Sequence, residues 1–381
     1  MKIIKINPNT QFDKICHYIK PHKAGEKIMS EKTQIHFFLI KDLRAPAANI
    51  LKQDALRVGA ELVTHKEVIL GKEQTSALLM LTQDQAKKLI EKEKLQDFKL
   101  KNLALFLKSK FIKPTQPKIM GVINVNEDSF NAQSRVKENE VLEKIELMIS
   151  QGADYIDIGA VSSRPGSVYC GKEEEFKRLK NTLDLIYKEK LYEKCIFSLD
   201  SFDEYCLEYA LNKGFKLIND ITGFKNENLA QLALSYKATY TLMHIQNTPQ
   251  NMQDDPCYED VLAELDDFFA QKLQRLSDLG LKDVILDVGI GFGKSPWHNM
   301  MLIKHLEHFL RFEKELLIGA SRKSVINAYF QSNVEQRLAG TLYLHLEAFK
   351  NGASIIRVHD VYEHKQMFEL AKVMNELSLE Q

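Results

Sequence analysis

Three polar side chains stand in short apolar stretches of the sequence. Asp200 and Asp287 end such stretches, and Asn219 lies within one. Burying an unpaired carboxylate there costs on the order of several kcal/mol, so each carboxylate needs hydrogen-bond donors. An internal pair with Lys or Arg is one source of donors. A ligand with a row of N–H donors, such as the guanidine-like edge of a heterocycle, is another.

Cationic residues form a complementary set at the ends of other apolar stretches. Ser321-Arg-Lys-Ser324 stands where a strand leads into a helix, and two cations beside a helix N-terminus favour an anion. Arg357 and His359 are two residues apart on one strand, so their side chains point the same way. Together with Ser163-Arg164 they predict a cationic rim that suits a phosphate or pyrophosphate.

The motifs for metal and nucleotide binding are sparse. No Cys, His and Asp residues have the spacing of a zinc site. Asn124, with a pyrophosphate, would suit a partly hydrated Mg²⁺, which needs few protein ligands. The glycine-rich stretch Gly289–Lys294 lacks the spacing of a P-loop, and we interpret it as backbone that approaches a ligand closely.

The elements that must position these residues follow a regular alternation. Eight short apolar runs, typical of strands buried on both faces, are separated by amphipathic stretches with helical spacing. This pattern predicts a (β/α)8 TIM barrel, with an open doubly wound sheet as the alternative. In a barrel the reactive residues come from the carboxyl ends of the strands. The runs are Lys118–Val125, Tyr155–Ala160, Cys195–Ser201, Leu217–Thr222, Ala238–His244, Asp283–Gly289, Leu316–Ser321 and Ser354–Asp360.

A small α/β domain is predicted before the barrel. Residues 1–115 carry 22 Lys and Arg against 12 Asp and Glu. Two prolines in Lys110–Pro117 mark the boundary, so we expect a basic domain of unknown role over 1–115 and the barrel over 116–381. Within the first domain, Ile35–Ile40 and Ala77–Leu81 indicate strands, and Ala48–Ala60 indicates a helix.

The composition excludes several classes of protein. The 52 Lys and Arg balance 52 Asp and Glu, which argues against nucleic-acid binding by the chain as a whole. No apolar run reaches the ~18 residues of a membrane span, and no signal peptide is recognised at the N-terminus. Five cysteines without a CxxC motif argue against a disulfide framework and fit a reducing cytoplasm.

Together these motifs resemble the dihydropteroate synthase family, the pterin-binding enzymes of the folate pathway. The resemblance covers about residues 116–381 and keeps the family's order of motifs. It departs from the family's usual pattern at Asn126-Glu127 and Asn131–Ser134. The motifs are Ile119–Phe130, Gly152–Gly159 leading to Ser163-Arg-Pro-Gly166, Ile218-Asn-Asp220, Met243-His244, Asp287–Lys294, Ser321–Ser324 and Arg357–Asp360.

The resemblance implies a reaction and a set of site residues. The reaction condenses 6-hydroxymethyl-7,8-dihydropterin pyrophosphate with p-aminobenzoate to give 7,8-dihydropteroate and pyrophosphate. Pterin binding is assigned to Asp200, Asn219, Met243, Asp287, Phe292 and Lys323. Binding of p-aminobenzoate and pyrophosphate is assigned to Ser163, Arg164, Pro165, Ser324, Arg357 and His359. The catalytic residues would be Asp200, Lys323, Arg357 and His359, and Asn124 would bind Mg²⁺.

The resemblance also implies a cytoplasmic bacterial homodimer that sulfonamides inhibit, with no membrane or nucleic-acid partner. Other readings stay open at this point. A pterin-binding methyltransferase shares the barrel and the Asp and Asn set, and a Schiff-base aldolase would use Lys323. A non-catalytic pterin-binding protein is a further alternative, in which residues 1–115 bind nucleic acid or another protein of the pathway.

Overall fold

The computed structural model describes residues 1–71, 74–125, 134–161 and 166–377, and only the backbone of residues 134–139. The chain divides into two compact units. The smaller unit comprises residues 1–110 with 372–381, and the larger comprises residues 111–371. The division thus falls slightly before the predicted boundary at residue 115. Residues 372–381 group with the smaller unit, although the predicted barrel domain ran to residue 381.

The smaller unit is built around a three-stranded antiparallel sheet. Strands β1 (Ile35–Arg44) and β2 (Glu61–Val63) flank β3 (Gln74–Thr82). The hydroxyl of Thr82 accepts the N–H of Gln85 and the Gln85 side chain accepts the N–H of Thr82, a reciprocal cap that begins a helix. The unit has its own apolar core. Its helices are α1 (Phe12–Ile19), α2 (Lys23–Ser30), α3 (Ala45–Arg57), α4 (Gln83–Glu93) and α5 (Leu100–Phe106).

The larger unit is a closed barrel of eight parallel strands. The strands are β4 (Lys118–Asn124), β5 (Tyr155–Gly159), β6 (Ile196–Asp200), β7 (Leu217–Asp220), β8 (Thr239–Met243), β9 (Val284–Asp287), β10 (Glu315–Ile318) and β11 (Ile355–Val358). They pair in chain order, and β11 returns to pair with β4. This closure confirms the predicted (β/α)8 barrel and excludes the open doubly wound sheet.

Helices cover the outside of the barrel and bury a continuous apolar layer against the strands. They are α6 (Ser134–Ser150), α7 (Lys172–Lys188), α8 (Glu204–Asn212), α9 (Asn228–Tyr236), α10 (Val261–Asp278), α11 (Pro296–Lys304), α12 (Ser324–Tyr329), α13 (Leu338–Lys350) and α14 (Val361–Glu376). Within the described ranges, no helix is both long and apolar enough to cross a membrane.

A cluster of buried apolar side chains fills the lower part of the barrel interior. It consists of Met120, Tyr155, Leu217, Ile285, Leu317 and Ile355, each from a different strand. Successive side chains of a strand alternate between its two faces, so residues two positions further along point inward as well. Leu217 is therefore followed on the inner face by Asn219, and Ile285 by Asp287. The apolar cluster and the polar residues that follow it on the inner face therefore obey the same two-residue alternation of the strands.

We predict that a shortened chain beginning at Phe111 folds into a stable barrel. The physical reason is that each unit has a separate apolar core and that all eight barrel strands follow residue 111. Thermal unfolding followed by circular dichroism should show one cooperative transition for the shortened chain. Aggregation, or a broad transition without cooperativity, would contradict the prediction.

Candidate active site

The closed barrel brings predicted site residues from several strands to one level. In the parallel register, Asn124 pairs with Gly159, Gly159 with Asp200, and Asp200 with Asn219. A Cβ atom on Gly159 would lie 3.5 Å from Asn124 Oδ1 and 3.6 Å from Asp200 Cβ. The glycine therefore leaves room between the first and third strands for the side chains of its neighbours.

Asp287 lies on the same rim, next to an apolar wall. It pairs in register with Met243, and both side chains are buried. Met243 packs with Ile221, Met252 and Phe292 in a small apolar cluster. Two of the predicted pterin contacts, Met243 and Phe292, are thus in one surface, which is suited to the face of a flat ring.

Arg357 forms a network of ion pairs in the opening of the barrel at the carboxyl ends of its strands, which we call the mouth. Its Nε donates to Asp157 Oδ2 at 2.7 Å, and its Nη2 donates to Asp200 Oδ2 at 2.8 Å. Asn219 Nδ2 donates to the same oxygen of Asp157 at 3.1 Å. One of the two donor sources considered for Asp200, an internal Arg, is therefore present. A ligand with N–H donors can supply the further hydrogen bonds that the carboxylate accepts.

Asp157 is a site residue that the sequence analysis missed. It is fully buried, and among the described residues none donates to its Oδ1. The signal was the one used for Asp200, a carboxylate within the apolar run Tyr155–Ala160. Its role depends on its pair with Arg357. The two residues are 200 positions apart along the chain, so the pairing could not be predicted from the sequence.

The two predicted acids are held in an environment that favours their neutral forms. Burial raises the pKa of Asp200, the neighbouring Asp157 raises it further, and Arg357 opposes the shift. Burial also raises the pKa of Asp287, while the N–H of Gly289, which donates to its Oδ1 at 2.7 Å, opposes the shift. A ligand with N–H donors would stabilise the charged form of both carboxylates.

Lys323 lies in the loop after β10 and faces Asp287 and Asp200. Burial lowers the pKa of Lys323 to about 8, and Asp287 opposes the shift. Its ammonium donates to the carbonyl oxygen of Ile290 and lies 4.6 Å from the centre of the Phe292 ring. Lys323 therefore contacts the aromatic wall and places a positive charge near Asp287 and Asp200.

The two cations of the Ser321–Ser324 motif have different surroundings. Arg322, which adopts a φ of 54°, forms a bidentate pair with Asp360 at 2.9 and 2.7 Å. That pair joins the loop after β10 to the end of β11, so Arg322 supports the rim and only Lys323 faces the acids. Ser321 Oγ lies 2.9 Å from His359 Nδ1 and forms a second link between the same two strands.

The glycine-rich stretch after β9 packs mainly against protein. A Cβ atom on Gly289 would lie 2.0 Å from the carbonyl oxygen of His244, and one on Gly293 would lie 2.7 Å from that of Gln246. Lys294, which is buried, donates to the carbonyl oxygens of Phe292 and His244. Gly289 and Gly293 thus give room to the neighbouring β8 loop, whereas a Cβ atom on Gly291 would lie 3.2 Å from Lys323 Cδ. The close approach of this stretch to a ligand stays a prediction.

The remaining predicted residues either lie exposed at the edge of the mouth or belong to the part of the chain that the structure does not describe. Asn124 is exposed at the end of β4, and Ser324 is exposed at the first position of α12. The residues Ser163, Arg164 and Pro165 lie outside the described part of the chain, as do Asn126-Glu127 and 131–133. A cavity of about 480 Å³ opens beside Asp200, a size typical of small-molecule sites.

Comparison with known proteins identifies the family of this site. The family described as pterin binding enzyme matches residues 120–359, which span the barrel from β4 to the end of β11. The chain belongs to the pterin-binding enzyme family. The match includes every strand that contributes to the mouth.

Individual relatives extend this result. The chain is 41% identical over 379 residues to a bifunctional dihydropteroate synthase/dihydropteroate reductase of Helicobacter pylori, covering 99% of this chain and 100% of the relative. It is 32% identical to the dihydropteroate synthase of Haemophilus influenzae, covering 70% of this chain and 98% of the relative. A crystal structure of Yersinia pestis dihydropteroate synthase with a sulfonamide drug complex superposes with a TM-score of 0.64 at 31% identity, covering 69% of this chain and 96% of the other.

These matches confirm the resemblance stated from the motifs and the predicted class of enzyme. The chain is a transferase of folate biosynthesis, and its reaction is the dihydropteroate synthase condensation. Its substrates are small molecules. The particular site residues remain predictions.

Proposed function

We propose that the mouth of the barrel seats a dihydropterin pyrophosphate with its N–H edge on Asp200, Asn219 and Asp287. The observation that carries this assignment is the meeting of two buried carboxylates and an amide on the inner face of one barrel. Met243 and Phe292 pack against the ring, and Lys323 reaches it from the loop after the neighbouring strand β10.

The charges of this mouth match the changes of charge in the condensation. Departure of pyrophosphate leaves positive charge on the pterin methylene, which the carboxylates stabilise through the ring. Arg357 and His359 stabilise the leaving group, together with Ser163 and Arg164. The amine of p-aminobenzoate, held beside Pro165, Lys323 and Ser324, then attacks the methylene carbon, so no protein nucleophile is needed.

Mg²⁺ fits the oxygen chemistry at the end of the first strand. Asn124 offers an exposed amide oxygen beside Gly159, which carries no side chain to block an ion. Within the described ranges, no group of three His, Cys, Asp or Glu side chains is placed to hold a metal. A hard ion with few protein ligands suits this surrounding, and Mg²⁺ would supply charge to the leaving pyrophosphate.

The direct test combines the protein with both substrates and Mg²⁺ and follows dihydropteroate and pyrophosphate by chromatography. We expect both products in equal amounts, and neither without p-aminobenzoate. Addition of EDTA should abolish turnover, and excess Mg²⁺ should restore it. Absence of product with methyl transfer to a corrinoid protein would instead favour the methyltransferase.

We predict an ordered reaction in which pyrophosphate completes the p-aminobenzoate site. Arg357 lies on strand β11 and is already positioned. Arg164 follows Ser162-Ser163 in the sequence, and we expect bound pyrophosphate to attract its guanidinium. A sulfonamide should therefore bind well only with a pterin, Mg²⁺ and pyrophosphate present. Calorimetry measures this coupling, and Arg164→Ala should weaken it. Equal sulfonamide affinity with and without pyrophosphate would contradict the ordered mechanism.

One observation favours a second activity, reduction of dihydropteroate. The relative named as both synthase and reductase matches 99% of the chain, whereas the Haemophilus influenzae synthase covers 70%. The additional match includes residues 1–110, so we propose that the smaller unit contributes to reduction. Dihydropteroate supplied with a hydride donor such as NADPH should be reduced by the full chain and not by residues 111–381. Equal reduction by both would contradict a role of the smaller unit.

We further propose a homodimer in the cytoplasm. The five cysteines are all free thiols, as a reducing compartment would keep them. Sedimentation equilibrium gives the oligomeric state directly, and a mass of one chain at micromolar concentration would exclude the dimer.

A further inference from the structure

Two buried histidines on the outer helices form a continuous hydrogen-bonded chain behind the site. The backbone N–H of Ala320 lies 2.9 Å from His345 Nε2 on α13. His345 Nδ1 lies 2.8 Å from His364 Nε2 on α14, and His364 Nδ1 lies 2.6 Å from the carbonyl oxygen of Asp360. Both rings have no exposed surface.

The two ends of this chain determine where the protons are. A backbone N–H only donates, so His345 Nε2 is an acceptor and its ring proton is on Nδ1. A carbonyl oxygen only accepts, so His364 carries its proton on Nδ1 and offers Nε2 to His345. Two neutral rings in the same tautomer thus satisfy all four ring nitrogens. A proton added to His345 Nε2 would face the N–H of Ala320, and one added to His364 Nε2 would face the Nδ1–H of His345. In either case two donors would oppose each other.

The surroundings of the rings agree with this neutral pair. Burial lowers the pKa of His345, and His364, Lys323 and His359 lower it further. Burial lowers the pKa of His364 as well, while Asp360 and Glu363 oppose the shift.

The chain joins the two strand ends on which Lys323 and His359 depend. Ala320 comes immediately before the Ser321–Lys323 turn that follows β10. Asp360 comes immediately after His359 at the end of β11. The links from Arg322 to Asp360 and from Ser321 to His359 connect the same two segments near the rim. The histidine chain holds them from the helical layer.

We propose that His345 and His364 are positioning residues that fix the end of β10 relative to the end of β11. They thereby set the distance between Lys323, proposed to contact the pterin, and His359, proposed to contact pyrophosphate. This inference rests on those proposed roles for its effect on catalysis. A misplacement of reacting groups by about 1 Å costs about 100-fold in rate, so the expected effect is on turnover.

The first experiment measures steady-state kinetics of His345→Leu and His345→Gln. Leu leaves the N–H of Ala320 without an acceptor, and we expect kcat to fall about 10- to 100-fold, with KM for p-aminobenzoate changed by less than about threefold. Gln can accept and donate along the same line and should restore much of kcat. His305→Leu, the same change at an exposed histidine of the barrel, is the matched control. Equal kcat in His345→Leu and wild type would overturn the positioning role.

The second experiment is independent of catalysis and of whether the Leu variant folds. Long-range ¹H–¹⁵N spectra of the histidine-labelled full chain report tautomer and charge. We expect two neutral Nδ1–H rings at pH 7, assigned by their loss in His345→Gln and His364→Gln. An Nε2–H tautomer or a charged imidazolium at either position would overturn the hydrogen-bonded chain. If the spectra are as expected but the wild-type chain forms no dihydropteroate, the hydrogen-bonded chain stands and the proposed roles of Lys323 and His359 are wrong.

Discussion

Replacing Asp287 with Asn should lower the affinity for a pterin by about 100-fold or more while the barrel stays folded. The reason is the direction of the hydrogen bonds at this position. Asp287 Oδ1 accepts the N–H of Gly289, and the amide oxygen of Asn can keep that bond. The amide nitrogen is then turned toward the ligand, where a donor meets the donors of the pterin edge.

Calorimetry with a 6-hydroxymethylpterin analogue measures the affinity, and thermal unfolding measures the stability. Asp266→Asn is the matched control, because Asp266 is a partly buried acid on α10 whose partners are Arg311 and His308. It should bind the pterin like the wild type. Asp200→Asn should also bind weakly, although Asp200 is in addition a partner of Arg357. Undiminished affinity in both mouth variants would exclude the proposed pterin orientation.

Much of the barrel could be predicted because its signals are local. Each strand is a short apolar run with a polar residue at its carboxyl end, and parallel strands place those ends at one rim. This reasoning alone brought Asp200, Asn219 and Asp287 to the same mouth, where the structure has them. One helix boundary differs from the prediction: helix α3 begins at Ala45 with Pro46 in its first turn, whereas the predicted helix begins at Ala48, after the proline.

Contacts that depend on closure of the barrel could not be predicted in the same way. Asp157 meets Arg357 only because β11 returns to pair with β4, and no local pattern encodes that register. Arg322 and Lys323 are neighbours in sequence, yet the left-handed φ of Arg322 accompanies a pair with Asp360 while Lys323 faces the acids. The chemistry of the two side chains is similar, so only the backbone separates their roles.

Replacing Arg357 with Met should both destabilise the barrel and lower the rate of turnover sharply. Arg357 is the cation shared by Asp157 and Asp200, and Asp157 has no exposed surface. Removing one partner of a buried ion pair costs about 3–5 kcal/mol, because the charge left behind is uncompensated. Loss of a preorganised charge at the leaving group lowers kcat by about 10²–10³-fold. Urea unfolding and the product assay measure the two effects separately.

Arg275→Met is the matched control for stability, since Arg275 forms a bidentate pair with Glu227 on the surface. Such exposed pairs contribute about 0–1 kcal/mol, so this variant should unfold almost like the wild type. Arg357→Lys should not restore turnover, because a single ammonium cannot reproduce the planar fork that serves two carboxylates.

The double variant Asp157→Asn with Arg357→Met separates the two roles of the arginine. The amide introduced by Asp157→Asn would carry no charge and could still accept the hydrogen bond from Asn219, so most of the lost stability should return. Turnover should stay low, because the substrate would still lack the cation beside its leaving group. If the double variant instead recovered turnover along with stability, Arg357 would act only by neutralising Asp157. The proposed contact between Arg357 and pyrophosphate would then be wrong.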